Sequence, residues 1–234
     1  MMTVIPFGAG VLAAGSVAYA TFYQNSRIYG RIIARGSRGK MSLYLTFDDG
    51  PHPSATGRIL EILDATETPA AFFMVGANVE KFSELARRVA ACGQTVGNHT
   101  FHHQKLHLKG PRFIANELQQ THETIVRATD CQPGFFRAPH GYRNPFVSAV
   151  ARRMGYASFG WTFGVWDTDQ PGASEIRRRV RARLKPGAII LLHDGDGNDP
   201  RQDRSQTAEA LPGIIDDARE AGYEFRPLAE LVQA

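Results

Sequence analysis

The chain has 234 residues, of which 43% are hydrophobic and 21% charged, with a formal net charge of +4. Those figures fit one soluble globular domain with a sizeable core. The basic excess is too mild to demand nucleic acid, and two cysteines, Cys92 and Cys131, are too few and too far apart for a thiolate zinc site.

The first element is apolar. From Val4 to Tyr23 no residue is charged, and Ala, Gly and Val dominate. About 20 residues is the length that spans a bilayer. Three readings stay open: an uncleaved anchor, a signal peptide cleaved near Ala18-Tyr19-Ala20, or a helix packed on the domain. No Lys or Arg precedes the stretch, which argues against a signal peptide. Arg27, Arg31, Arg35, Arg38 and Lys40 follow it, a bias that would hold the rest of the chain in the cytoplasm. We expect membrane association through residues 4–23, with residues 1–40 forming an apolar segment and basic linker ahead of a domain at 41–234.

From residue 41 onward short apolar runs alternate with helical stretches. The pattern predicts strands at Leu43–Thr46, Ala70–Val75, Thr95–Gly97, Gly134–Arg137, Ala157–Phe159, Ala188–Leu192 and Tyr223–Pro227. It predicts helices over 54–65, 80–91, 111–129, 145–154, 173–184 and 206–221. Such alternation argues for parallel βαβ units, and Gly93, Gly155, Pro186-Gly187 and Gly222 supply the stops. Seven strands suggest a barrel short of eight. The basic run Arg177-Arg178-Arg179, continued by Arg181, Arg183 and Lys185, has no interleaved aromatics and reads as a solvated helix face. The cysteines read as buried free thiols, or as a disulfide if the domain is exported.

Chemistry concentrates where the strands end. Asp48, Asp49, His99, Arg137, Asp167 and His193 fall at or just after the C-terminal ends of different predicted strands, the face that carries active sites in parallel α/β barrels. In Thr46-Phe47-Asp48-Asp49-Gly50 the adjacent carboxylates leave a strand in different directions. One can bind a divalent cation while the other takes a proton from water; a solvated Asx turn is the bland alternative. His99 and His103 have the i, i+4 spacing that shares one face of a helical turn, with His102 and His107 as competitors. One Asp and two His make a three-ligand set with open positions, as in catalytic metal sites. Arg137-Ala138-Pro139-His140-Gly141-Tyr142 joins a guanidinium fork to a rigid loop whose backbone N–H could face an oxyanion. His193, ending an apolar strand, is placed to act as a general acid, with Asp167 stabilising its imidazolium. Trp161, Trp166 and Leu191 are candidate apolar walls for a small acyl group.

Taken together, these residues resemble the polysaccharide deacetylase family, the NodB-homology enzymes of carbohydrate esterase family 4. The resemblance covers about residues 41–230 and carries five motifs in order: Thr46 to Gly50, His99 to His103, Arg137 to Pro139, Trp161 to Asp167, and Leu191 to His193. It implies a distorted (β/α)7-type barrel, with Asp48 as general base and Asp49, His99 and His103 as metal ligands. It also implies that Arg137 holds Asp48, that Asp167 tunes His193 as general acid, and that the N–H of His140 binds the oxyanion. The metal implied is Zn²⁺ first, with Co²⁺, Mn²⁺ or Ni²⁺ as alternatives. Substrate contacts are expected at His140, Tyr142, Trp161, Trp166 and Leu191. Two departures stand out: His140 replaces a common Tyr, and Trp166 precedes the motif Asp where many members place Trp after it.

The activity implied is removal of N-acetyl groups from an amino-sugar polymer or oligomer, chitin- or peptidoglycan-like. The rivals are an O-acetyl xylan esterase, a hydrolase of small amides, and a carbohydrate-binding pseudoenzyme. The expected setting is a monomer without nucleic acid, membrane-associated or exported to a bacterial envelope.

Overall fold

The computed structural model describes residues 7–197, 199 and 201–233. In chain order the elements are α1 (Phe7–Phe22), β1 (Ser42–Asp48), α2 (Thr56–Ala65), β2 (Ala70–Met74), α3 (Gly76–Lys81), α4 (Ser83–Ala91), β3 (Thr95–Asn98), α5 (Pro111–Thr129) and β4 (Phe135–Phe136). There follow α6 (Pro145–Arg153), β5 (Ala157–Ser158), β6 (Phe163–Gly164), α7 (Ala173–Arg181), β7 (Ala188–His193), α8 (Ser205–Glu220), β8 (Glu224–Phe225) and α9 (Glu230–Gln233).

All strand pairings are parallel, in the order β5-β4-β3-β2-β1-β7-β6. β8 joins the start of β1, alongside Ser42 and Leu43. Every residue of β1 is buried, as expected of a central strand covered on both faces. Side chains alternate between those faces. Leu43, Leu45 and Phe47 share one core cluster with Phe72, Ile190, Leu192 and the apolar faces of α2 and α8. Tyr44 shares a second, inner cluster with Ala71, Phe73, Phe159 and Ile189. Asp48 has the parity of Tyr44 and so points into the curl of the sheet. The register sets Asp48 level with His193 on β7, which fixes the two polar ends side by side.

The basic linker closes the curl. Ile33 bridges Phe159 just past β5, and Arg35 bridges Ala188 at the start of β7. Thr162 Oγ1 donates to the carbonyl of Ala34, and the Arg35 guanidinium donates to that of Pro186.

The apolar N-terminal stretch reaches back to residues 4–6, outside the described residues. Among the described residues no helix is long and apolar enough to cross a membrane. The end of α1 lies against the domain: Ala20 is buried, and the carbonyl of Thr21 accepts from the N–H of Arg143. Residues 14–19 of the same helix are exposed.

Other differences have local causes. The helix expected over 80–91 is two, because Phe82 adopts a non-helical φ of −125° and ψ of 46° between α3 and α4. The unexpected β6 is only two residues long and exists through its pairing with β7. Cys92 and Cys131 are free thiols, but exposed rather than buried, because each lies in the turn leaving a helix. The arginine run lies largely on α7, where Ile176 and Val180 face the core while Arg177 pairs with Asp217 and Arg178 and Arg179 with Glu175.

Candidate active site

The C-terminal ends of the strands surround one cavity of about 840 Å³. Its lining includes Asp48, Asp49, His99, His103, His140, Tyr142, Trp161, Trp166, Leu191 and His193. Arg137 and Asp167, the other two sequence-derived candidates, are buried behind that wall and each grips one of its members.

The adjacent carboxylates diverge because Asp49 sits in a left-handed turn at φ 75°. Asp48 Oδ1 accepts from Arg137 Nη1 at 2.6 Å. The same guanidinium donates to Thr46 Oγ1 and to the carbonyl of Gly160, and lies 4.1 Å over the Phe73 ring. Its partners leave Asp48 little freedom to turn. Burial lowers the pKa of Arg137, and the Asp48 charge acts against that fall.

Asp49 faces the histidines. Its Oδ1 is 3.3 Å from His99 Nε2 and 3.0 Å from His103 Nε2. The three residues are buried, with one ligand atom from each lying within 4.8 Å of the others. His99 Nδ1 lies 2.8 Å from the carbonyl of Arg137, which can only accept, so Nδ1 donates there and the ring presents Nε2 to Asp49. Asp49 Oδ1 is buried and receives no hydrogen bond of normal geometry. Burial would raise the Asp49 carboxyl, but the charge and hydrogen bond of His103, with His99 and the His193 charge, together outweigh it and hold the group well below its ordinary range; His103 is raised in return against its own burial. An acid and a base that stabilise each other's charge in a buried cluster fit a divalent cation, which can replace the shared proton.

The histidines do not converge through a helix, as their spacing suggested. Residues 99–103 form a loop in which Thr100 and His103 have positive φ, 69° and 52°. Glu117 on α5 holds that loop. Its Oε2 accepts from the N–H groups of Phe101 and His102, and its Oε1 faces His102 Nδ1 at 2.7 Å. His102 is thus committed to Glu117, and His107 packs against Phe22 and Tyr142, so neither competes for the cation. Asn78 and Asn98 brace the same region, Asn78 donating to the carbonyl of Asp49 and Asn98 Oδ1 accepting from the N–H of Thr100. None of these three was evident from motifs. Glu117 had a signal: it falls on the stripe of α5 that buries Ile114, Leu118 and Thr121. Glu117→Ala is expected to uncap two buried N–H groups and weaken metal binding about 10–100-fold, measured by competition with a chromophoric chelator.

His193 is held by Asp167. Asp167 Oδ1 lies 2.9 Å from the ring Nδ1, and Oδ2 accepts from the His193 N–H at 2.8 Å and from Thr207 Oγ1. Burial would lower the pKa of His193, but the charge and hydrogen bond of Asp167, joined by the Asp49 and Asp48 charges, together outweigh it and push the group up to about 9. Burial would likewise raise Asp167, and the His193 charge with its hydrogen bonds brings it below the usual range. His140 occupies a tight turn at φ 57° with its ring 4.7 Å from that of His103. Burial and the His103 charge lower it to about 4, so its imidazole is neutral near pH 7. Trp166 is 68% exposed at the cavity mouth, while Trp161 and Leu191 line the interior.

The family model for polysaccharide deacetylases matches residues 35–159. A chitooligosaccharide deacetylase from Bradyrhizobium is 37% identical over 202 residues, covering 82% of this chain and 91% of its own. A peptidoglycan-N-acetylglucosamine deacetylase from Bacillus cereus is 34% identical over 194 residues, covering 81% and 87%. Among solved structures, a family 4 carbohydrate esterase pseudoenzyme from Bacillus anthracis superposes with a TM-score of 0.79 at 29% identity, covering 86% of this chain and 69% of that one.

Proposed function

The chain belongs to the polysaccharide deacetylase family, and on that premise we propose that it hydrolyses N-acetyl groups on an amino-sugar polymer or oligomer, with Zn²⁺ as its metal. The observation that carries the reading is the convergence of three groups on one cavity: Asp49 with His99 and His103, Asp48 held by Arg137, and His193 held by Asp167.

Asp49, His99 and His103 would hold the cation. When bound it supplies Lewis acidity, polarising the acetyl carbonyl and acidifying water. Asp48 uses the oxygen not engaged by Arg137 to take a proton from the attacking water. As the water oxygen bonds to the carbonyl carbon, the N–H of His140 donates to the developing oxyanion. The C–N bond then breaks, and His193 passes its ring proton from Nε2 to the departing amine. Acetate and the free amino sugar are the products. Leu191, Trp161 and Trp166 form the apolar side of the cavity, where the acetyl methyl group would lie.

The test is acetate release from N-acetylglucosamine oligomers by protein treated with chelator and by the same protein resupplied with zinc. Release that disappears with chelator and returns with zinc is expected. No release from protein carrying one metal per chain would refute the N-acetyl reading and direct the assay to acetylated xylan and small amides.

A further inference from the structure

The cavity has a wall that the five motifs do not account for. Phe22, the last residue of α1, and Gln24, from the arm that follows it, line it beside Tyr142. The arm is seated, not draped. The N–H of Arg143 donates to the carbonyl of Thr21, and the Arg143 guanidinium donates to those of Gln24 and Ser26. Asn25 Nδ2 donates to the carbonyl of Trp161 at 2.8 Å. Two glycines leave room for it. A Cβ on Gly141, itself at φ +73°, would lie 2.5 Å from Gln24 Cβ, and one on Gly160 would lie 2.2 Å from Asn25 Oδ1. The loop that presents the His140 N–H is therefore shaped to receive this arm.

The aromatic rings continue outward from the metal triad without a break. His103 meets His140 at 4.7 Å, His140 meets Tyr142 at 5.7 Å, and Tyr142 meets Phe22 at 5.3 Å in an edge-to-face pair at 87°. His107 holds Phe22 from another side at 5.3 Å. Phe22 nonetheless stays 53% exposed. A large apolar ring fixed by two neighbours and left open at a cavity rim is a binding surface more than a core residue. Gln24 adds an amide that can both donate and accept hydrogen bonds.

We propose that Phe22, with Gln24, forms a further sugar subsite that stacks on the apolar face of a pyranose ring at least two units away from the one losing its acetyl group, three ring contacts out from His103. This deepens the N-acetyl reading above and rests on it. The subsite makes the enzyme discriminate by chain length: a dimer fills the reacting centre and the position next to it, while a tetramer also covers Phe22.

The test compares N-acetylglucosamine dimer and tetramer on the full-length metal-loaded protein, for wild type, Phe22→Ala, Phe22→Leu and Phe22→Trp. Phe22→Ala and Phe22→Leu are expected to lower the tetramer-to-dimer ratio of kcat/KM about tenfold, the scale of one truncated aromatic anchor, and Phe22→Trp to restore it. Equal losses on both substrates, or full function in Phe22→Leu, would overturn the subsite and leave Phe22 a packing residue. Calorimetric binding of the same two oligomers to the metal-loaded protein separates this from failure of the N-acetyl reading. A tetramer preference that depends on Phe22, without acetate release, would refute that reading and keep the subsite; no tetramer preference in wild type would refute the subsite whatever the turnover.

Discussion

Asp48→Asn is expected to retain one bound metal per chain and to lose about 10²–10⁴-fold in kcat, the range typical of a positioned general base. The cation would be held by Asp49, His99 and His103, and the substitution touches none of them. The amide keeps the size of the carboxylate, and its carbonyl can still accept from Arg137 Nη1, so the cavity wall should hold its shape. What disappears is the basic oxygen. The charge balance also changes, because Arg137 is completely buried and loses its carboxylate partner. Breaking a buried ion pair from one side costs about 3–5 kcal/mol, and the remaining bonds to Thr46 and Gly160 reduce that figure. A lowered Tm with unchanged metal stoichiometry is the expected pairing of results. Arg137→Ala provides the contrast: it frees Asp48 to turn and unpairs it, so activity and stability should fall together. Full turnover in Asp48→Asn, measured with metal content on the same sample, would remove Asp48 from the reaction.

The residues that gather at the cavity were legible in the sequence because their types are scarce. Two adjacent Asp, a His pair and a His ending an apolar strand have few bland explanations in common. α5 was legible to its boundaries, with Pro111 at the start and buried Ile114, Leu118, Thr121 and Ile125 at helical spacing. The route by which His99 and His103 meet was not. Spacing of four residues serves a helical turn or a loop equally well, and the loop is chosen by positive φ at Thr100 and His103 and by the grip of Glu117, distant in sequence. The arm at residues 21–26 was illegible for a related reason. Gly141 and Gly160 make its seat, and a glycine in a sequence does not announce which segment will approach it. The basic linker's bridges from Ile33 to Phe159 and from Arg35 to Ala188 were likewise invisible in its composition, which carries no pairing information.

Asp167→Asn is the second large expected effect, and it is read in pH. His193 lies above its ordinary value although burial alone would lower it; the Asp167 charge and hydrogen bond are the largest causes of the rise, and the Asp49 and Asp48 charges add to it. A general acid must hold its proton, and wild-type kcat should therefore fall on the alkaline side near pH 9. With Asn at 167 burial is opposed only by the Asp49 and Asp48 charges, and the alkaline limb should move well below pH 9, toward the ordinary histidine value of about 6.5. Near pH 8 the variant should lose about 10²–10⁴-fold in kcat, because neutral His193 has no spare proton for the amine. His193→Gln should lose as much with no alkaline limb remaining. Stability follows the same pair. A raised histidine contributes below its unfolded value of about 6.5 and loses that contribution as pH rises through about 9. The lowered Asp167 contributes above about pH 4 and loses it as pH falls toward its depressed value. The Tm gap between wild type and Asp167→Asn should thus be widest between about pH 4 and 6.5 and narrow on either side. An alkaline limb left in place by Asp167→Asn would sever the link between the two residues, and proton delivery to the amine would need another source.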